Sequence, residues 1–155
     1  MIFSRRTTNI CWICSSTGKL TGEHKIKKTD LRRHDLTQPK YLMLPGKVQI
    51  IQGLNSNLLK FPNSICATCN NKRTQKADRS YDAFMGEKAN SLELTPLREA
   101  TSDYSQVSYV TLTHRAELAR YFAKHLGCAL VYQNFPVPLR LSRFVAGKTS
   151  SVCIS

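Results

Sequence analysis

The sequence predicts an α+β protein: a small core of short strands and one helix pinned by cysteines, followed by a helical C-terminal region. Two Cys-x-x-Cys pairs, Cys11/Cys14 and Cys66/Cys69, bracket a stretch whose apolar residues come in short, strand-like runs. From Asn70 onward the apolar spacing turns helical. At 155 residues the chain has room for one hydrophobic core, or for a small pinned module with a second helical region attached. The division expected is a core over residues 1–90 and a C-terminal extension over 91–155.

After a short basic lead-in, Cys11-Trp12-Ile13-Cys14 opens a tight turn closed by Ser15, Ser16 and Gly18. Leu20 to Lys28 alternates loosely and reads as a short strand or hairpin arm carrying Glu23 and His24. Charge crowds Lys27 to Lys40, which predicts an exposed helical turn or loop. Tyr41–Leu44, Pro45-Gly46 and Val48–Ile51 read as strand, turn and strand, since Pro-Gly is turn chemistry. The second cysteine pair falls where a strand meets a helix.

That helix is expected from Asn70 to about Ala89. Ala77, Tyr81, Phe84 and Met85 share one side, and Lys72, Arg73, Lys76 and Arg79 lie largely on the other. A second helix begins near Thr113, with Ala119, Phe122, Ala123, Leu126 and Leu130 as its apolar face. Pro136 and Pro138 break it, and a last short helix, Leu139 to Ala146, stops at Gly147. There is no internal repeat.

Charge narrows the function. Lys plus Arg number 23 against 10 Asp plus Glu, a formal +13 with a sequence pI near 9.8. Such a balance suits a polyanion, because each cation that neutralises a phosphate releases a condensed counterion. No apolar run approaches the roughly 20 residues of a membrane span, and the first residues hold no secretory apolar stretch, so the expected place is the cytoplasm. In a reducing cytosol six cysteines argue for metal ligation rather than disulfides. Two thiolates separated by two residues can grip one ion, and two pairs complete a tetrahedral, closed zinc shell with a structural role. Two pairs also outweigh a redox reading of either alone; Cys128 and Cys153 read as core or tail residues.

Between the pairs lies Gly22-Glu23-His24-Lys25, and Asn70 directly follows the last cysteine. A carboxylate and an amide oxygen suit a hard divalent cation such as magnesium or manganese. An imidazole with an ordinary pKa near 6.5 suits a general base. Lys25, Lys27, Lys28, Lys72 and Arg73 would supply charge for DNA phosphates.

Cys11-x-x-Cys14, Glu23-His24 and Cys66-x-x-Cys69-Asn70-Asn71-Lys72 together resemble the zinc-containing, four-cysteine branch of the HNH, or ββα-metal, endonucleases, to which the phage junction-resolving endonuclease VII belongs. The resemblance spans about residues 11–80. It implies a ββα-metal core, a structural zinc on the four cysteines, a catalytic metal on Glu23 and Asn70, and water activated by His24. The products would carry 5′-phosphate and 3′-hydroxyl ends. Glu23 stands where the commoner choice is Asp, and Asn70 where the last letter of the motif is His. The middle Asn has no single counterpart: Asn63 is nearest to the cysteines, and Asn57 is the alternative.

The expected function is therefore metal-dependent hydrolysis of DNA phosphodiester bonds. Its rival is a zinc-stabilised nucleic-acid-binding module without catalysis, for which the cysteines and the charge suffice. A third reading is a homodimer or partner-protein contact through the helix after Thr113. Asp78 reads as a helix-surface salt bridge, and Arg115, Arg120, Lys124, Arg140, Arg143 and Lys148 as either an extended DNA track or a solvated basic face.

Overall fold

The computed structural model describes residues 9–33, 40–44, 47–51, 53–92 and 112–150. Strand β1, Leu20–Thr21, pairs antiparallel with β4, Ile65–Cys66, in the register Leu20 to Cys66 and Thr21 to Ile65. The pairing continues past both elements: Phe61 N donates to Glu23 O at 2.8 Å, His24 bridges Lys60, and Lys25 N donates to Leu59 O at 2.7 Å. Residues 20–25 and 59–66 thus form one antiparallel ribbon. Its second arm carries extra residues at Pro62-Asn63, a bulge that shifts the register between Thr21 and His24.

Between the arms lie helix α1, Lys28–Arg33, and a hairpin of β2, Lys40–Leu44, with β3, Lys47–Ile51. The hairpin agrees with the strand, turn and strand reading, although Pro45-Gly46 itself lies outside the described residues. Helix α1 is less exposed than its charge suggests, since Asp30 and Leu31 are buried. The second arm runs straight into a helix. Its first turns are widened, with Thr74 N reaching back five residues to Cys69 O at 3.2 Å, before α2 proper, Gln75–Leu92. Gly86 does not end α2.

Helix α3, Leu112–Tyr132, packs against α2, and α4, Leu139–Val145, packs against α3. Gly147, with φ of +74°, closes α4: Gly147 N donates to Phe144 O and Lys148 N to Arg143 O, at 2.9 and 2.8 Å. The central apolar cluster joins Cys11, Ile13, Ile65, Cys66 and Cys69 to Cys128, Phe144 and Val145. The C-terminal helices therefore share one core with the ribbon.

One expectation is corrected. The face of α3 read as apolar is only partly inward: Ala123 packs against the central cluster, but Phe122 and Leu126 are 51% and 48% exposed. The inward stripe is Tyr121, Lys124 and Cys128, at 4%, 1% and 0%. Packing sets this rotation: Trp12 sits against Gly127, where a Cβ would come within 2.4 Å of the indole ring. Tyr121 also stacks on Tyr81 of α2 with ring centroids 3.9 Å apart. The glycine that weakens a helix in water lets this one approach the cysteine turn.

Candidate functional site

The ribbon brings the two cysteine pairs together. Cys11 and Cys14 sit on a turn closed by Ser15 N to Cys11 O at 2.8 Å and Cys11 N to Ser16 O at 2.9 Å. Cys66 ends β4 and Cys69 opens the widened helical turn. All four sulfurs lie within 4.8 Å of one another, and Cys14 Sγ is 3.7 Å from Cys66 Sγ. Sulfurs 2.3 Å from a tetrahedral ion stand about 3.8 Å apart, so these four thiols form a metal-binding geometry consistent with structural zinc.

The thiols of the cluster differ in their electrostatic surroundings. Burial pushes the Cys11 and Cys69 thiols above their ordinary range. Burial acts the same way on Cys14, but the Ser16 backbone and the neighbouring thiols outweigh it and bring Cys14 down to about 7. Cys69 N donates to Cys66 Sγ at 3.4 Å, and Arg73 Nη1 to Cys69 Sγ at 3.2 Å. Arg73, expected on DNA, thus lies against the sulfur cluster. Cys128 is fully buried nearby, and burial raises its thiol to about 12, which keeps it a neutral core residue.

Glu23 and His24 lie on the first arm of the ribbon and Asn70 in the first helical turn, each held by a different neighbour. Asn70 Nδ2 donates to Thr21 Oγ1 at 3.2 Å, tying the first helical turn to β1; its Oδ1, the atom a cation would take, is not used in that bond. Glu23 Oε1 lies 3.3 Å from Lys124 Nζ. Lys124 Nζ also reaches Asp78 Oδ1 at 2.8 Å and Thr74 Oγ1 at 3.4 Å. Asp78 does form a salt bridge, but across the α2–α3 interface rather than along the helix surface. Lys124 is no part of a surface track, being 1% exposed and surrounded by oxygens.

His24 Nε2 is closed off from solvent and has no hydrogen-bond partner among the described residues. Burial lowers the His24 pKa from its ordinary value, with Lys28 and Lys60 pushing the same way against the Leu54 backbone and Glu23. The ring is therefore held neutral. Its carbonyl oxygen takes a bond from His125 Nε2 at 3.0 Å, which fixes the strand to α3. His34 lies outside the described residues.

The remaining expected residues divide between free and engaged. Asn63 is exposed at the ribbon bulge, with its Oδ1 3.2 Å from where a Gly22 Cβ would stand; Asn57 starts a short helical turn away from the cysteines. Lys25 Nζ caps the Tyr132 ring at 4.6 Å. Lys27 Nζ bonds Asp82 Oδ2 at 2.8 Å and Asp78 O at 2.6 Å. Lys72 is exposed and Lys28 half-buried. On the far side of the cysteine turn a cavity of about 440 Å³ is lined by Trp12, Asn63, Phe135, Arg143 and Lys148 among others.

Lys124 is the residue that sequence reasoning missed. A signal existed: it falls between Tyr121 and Cys128 at helical spacing, on a stripe that turned out to be buried. Comparison with family models, curated proteins and solved structures found no match. No helix among the described residues is long and apolar enough to cross a membrane.

Proposed function

We propose that this chain is a DNA endonuclease of the zinc-containing ββα-metal type, hydrolysing a phosphodiester bond with His24 as general base. The carrying observation is the junction itself: an antiparallel ribbon runs directly into a helix over a four-thiol cluster, with Glu23-His24 on its first arm and Asn70 in the first helical turn. Zinc in the thiol cluster would hold that junction shut, and its binding energy would be folding energy.

One property of His24 suits the role, and its enclosure must be relieved before it can act. Its ring is held neutral by burial, and its Nε2 keeps a lone pair or proton that no described residue engages. The nitrogen, closed off from solvent here, would take a proton from the attacking water once binding of substrate opens a path to it. Asn70 holds the first arm to the helix through Thr21, which maintains the distance between base and helix start. Lys72 and Lys28 remain available for phosphate, and the +13 charge favours a nucleic-acid partner. Magnesium or manganese at Glu23 and Asn70, the oxygen donors that suit them, would supply positive charge to the phosphate and its leaving oxygen.

The test is nicking of supercoiled plasmid in magnesium or manganese. His24→Ala is expected to lose about 100-fold or more, the ordinary worth of a general base. Equal nicking by wild type and variant would remove His24 from the reaction.

A second reading is favoured by one observation, the engagement of Glu23 by Lys124. In it the chain is a zinc-stabilised nucleic-acid-binding module without catalysis, its carboxylate neutralised from within. Salt-dependent DNA binding together with background-level nicking by the wild type would select it.

A further inference from the structure

We propose that Lys124 fills the cation position beside Glu23, so that a divalent cation binds there only by displacing the Lys124 ammonium. The proposal rests on the nuclease reading above, in which Glu23 is a metal ligand. Lys124 comes from α3, yet its Nζ lies at the meeting of the ribbon and α2. An ammonium has three N–H donors and no acceptor. Three oxygens face it, Asp78 Oδ1 at 2.8 Å, Glu23 Oε1 at 3.3 Å and Thr74 Oγ1 at 3.4 Å. Two carboxylates and a hydroxyl are also the donor types a hard divalent cation prefers.

The two occupants exclude each other. Lys124 is 1% exposed, so its charge is poorly screened, and a dication on the same Glu23 carboxylate would face it within a few ångströms. Among the described residues no other lysine is paired with the Glu23 or Asp78 carboxylate. Lys27, which reaches the Asp78 backbone, is spent on Asp82 and on the Asp78 carbonyl oxygen. Binding strength for a cation at Glu23 is therefore set from α3, by how readily the Lys124 side chain withdraws.

The experiment titrates manganese into the zinc-loaded full chain and reads free manganese by electron paramagnetic resonance, beside thermal melts. It compares wild type, Lys124→Met and Lys124→Met with Glu23→Gln. Removing the charge is expected to tighten manganese binding by about tenfold or more, and manganese should raise the melting temperature of Lys124→Met. Both gains should vanish with Glu23→Gln. Equal affinity in wild type and Lys124→Met overturns the proposal, as does a gain that survives Glu23→Gln. Should Lys124→Met be unfolded without manganese, manganese is expected to restore its circular dichroism, and failure to do so also overturns it. Plasmid nicking by wild type and His24→Ala tests the nuclease reading separately, so either can fail while the other stands.

Discussion

The four-cysteine cluster and the Glu23–Lys124–Asp78 cluster solve the same problem in opposite ways. Each gathers polar, ligand-type groups from distant parts of the chain into the interior, where an uncompensated charge is costly. The cysteines are all of one kind and have no counter-charge of their own beyond the exposed guanidinium of Arg73. They call for an ion from outside. The carboxylates are met by an ammonium that the chain itself carries on α3. A site built of like groups advertises an external cation, while in the other the chain's own ammonium offsets one of the two carboxylate charges.

The largest expected effect breaks the first cluster. If the thiols hold zinc, removing it by chelation, or Cys69→Ser, should cost on the order of 10 kcal/mol of folding free energy and leave the chain unfolded. Circular dichroism after verified metal loss checks this; an unchanged melt would mean that the cluster behaves as ordinary core. Breaking the second cluster should cost less. Lys124→Ala strands two partly buried carboxylates and is expected to destabilise by about 1.5–3 kcal/mol in urea titrations without divalent metal. Smaller still, Gly127→Ala forces a methyl into the Trp12 indole and should cost about 1–3 kcal/mol, with a shift in tryptophan fluorescence.

The smallest effect separates the clusters by pH. The folded His24 pKa lies below the unfolded value near 6.5, so the unfolded chain binds the proton more readily. Its stabilising contribution is fully present above about pH 6.5 and is lost as pH falls through the lowered folded value. His24→Gln should therefore melt with a shallower acid dependence than wild type below pH 6.5. The thiols also gain protons on acidification, but that loss is common to both proteins and cancels in the comparison.

Local chemistry made much of this legible. The Cys-x-x-Cys spacing brings each pair to a turn, and the side of α2 holding Ala77 is buried while Lys72, Arg73, Lys76 and Arg79 are exposed, as its periodicity implies. The stop of α4 at Gly147 was equally readable, because a positive φ at that position is a local property. The rotation of α3 was not. Periodicity pointed to the face with Phe122 and Leu126, whereas the rotation was decided by Trp12 docking on Gly127 and by the ion pairs of Lys124.

By itself the sequence determined the α+β character, the thiol pairs and the adjacency of Glu23 to His24, because these depend on neighbours in the chain. Only the tertiary structure decided what each group faces. Arg73 and Lys27 read as phosphate ligands, yet one lies on a sulfur and the other on Asp82. Lys124 read as surface and is the most deeply enclosed charge among the described residues. A long, flexible cation takes whichever oxygen or sulfur the fold brings within reach, and that is settled by packing between elements far apart in the chain.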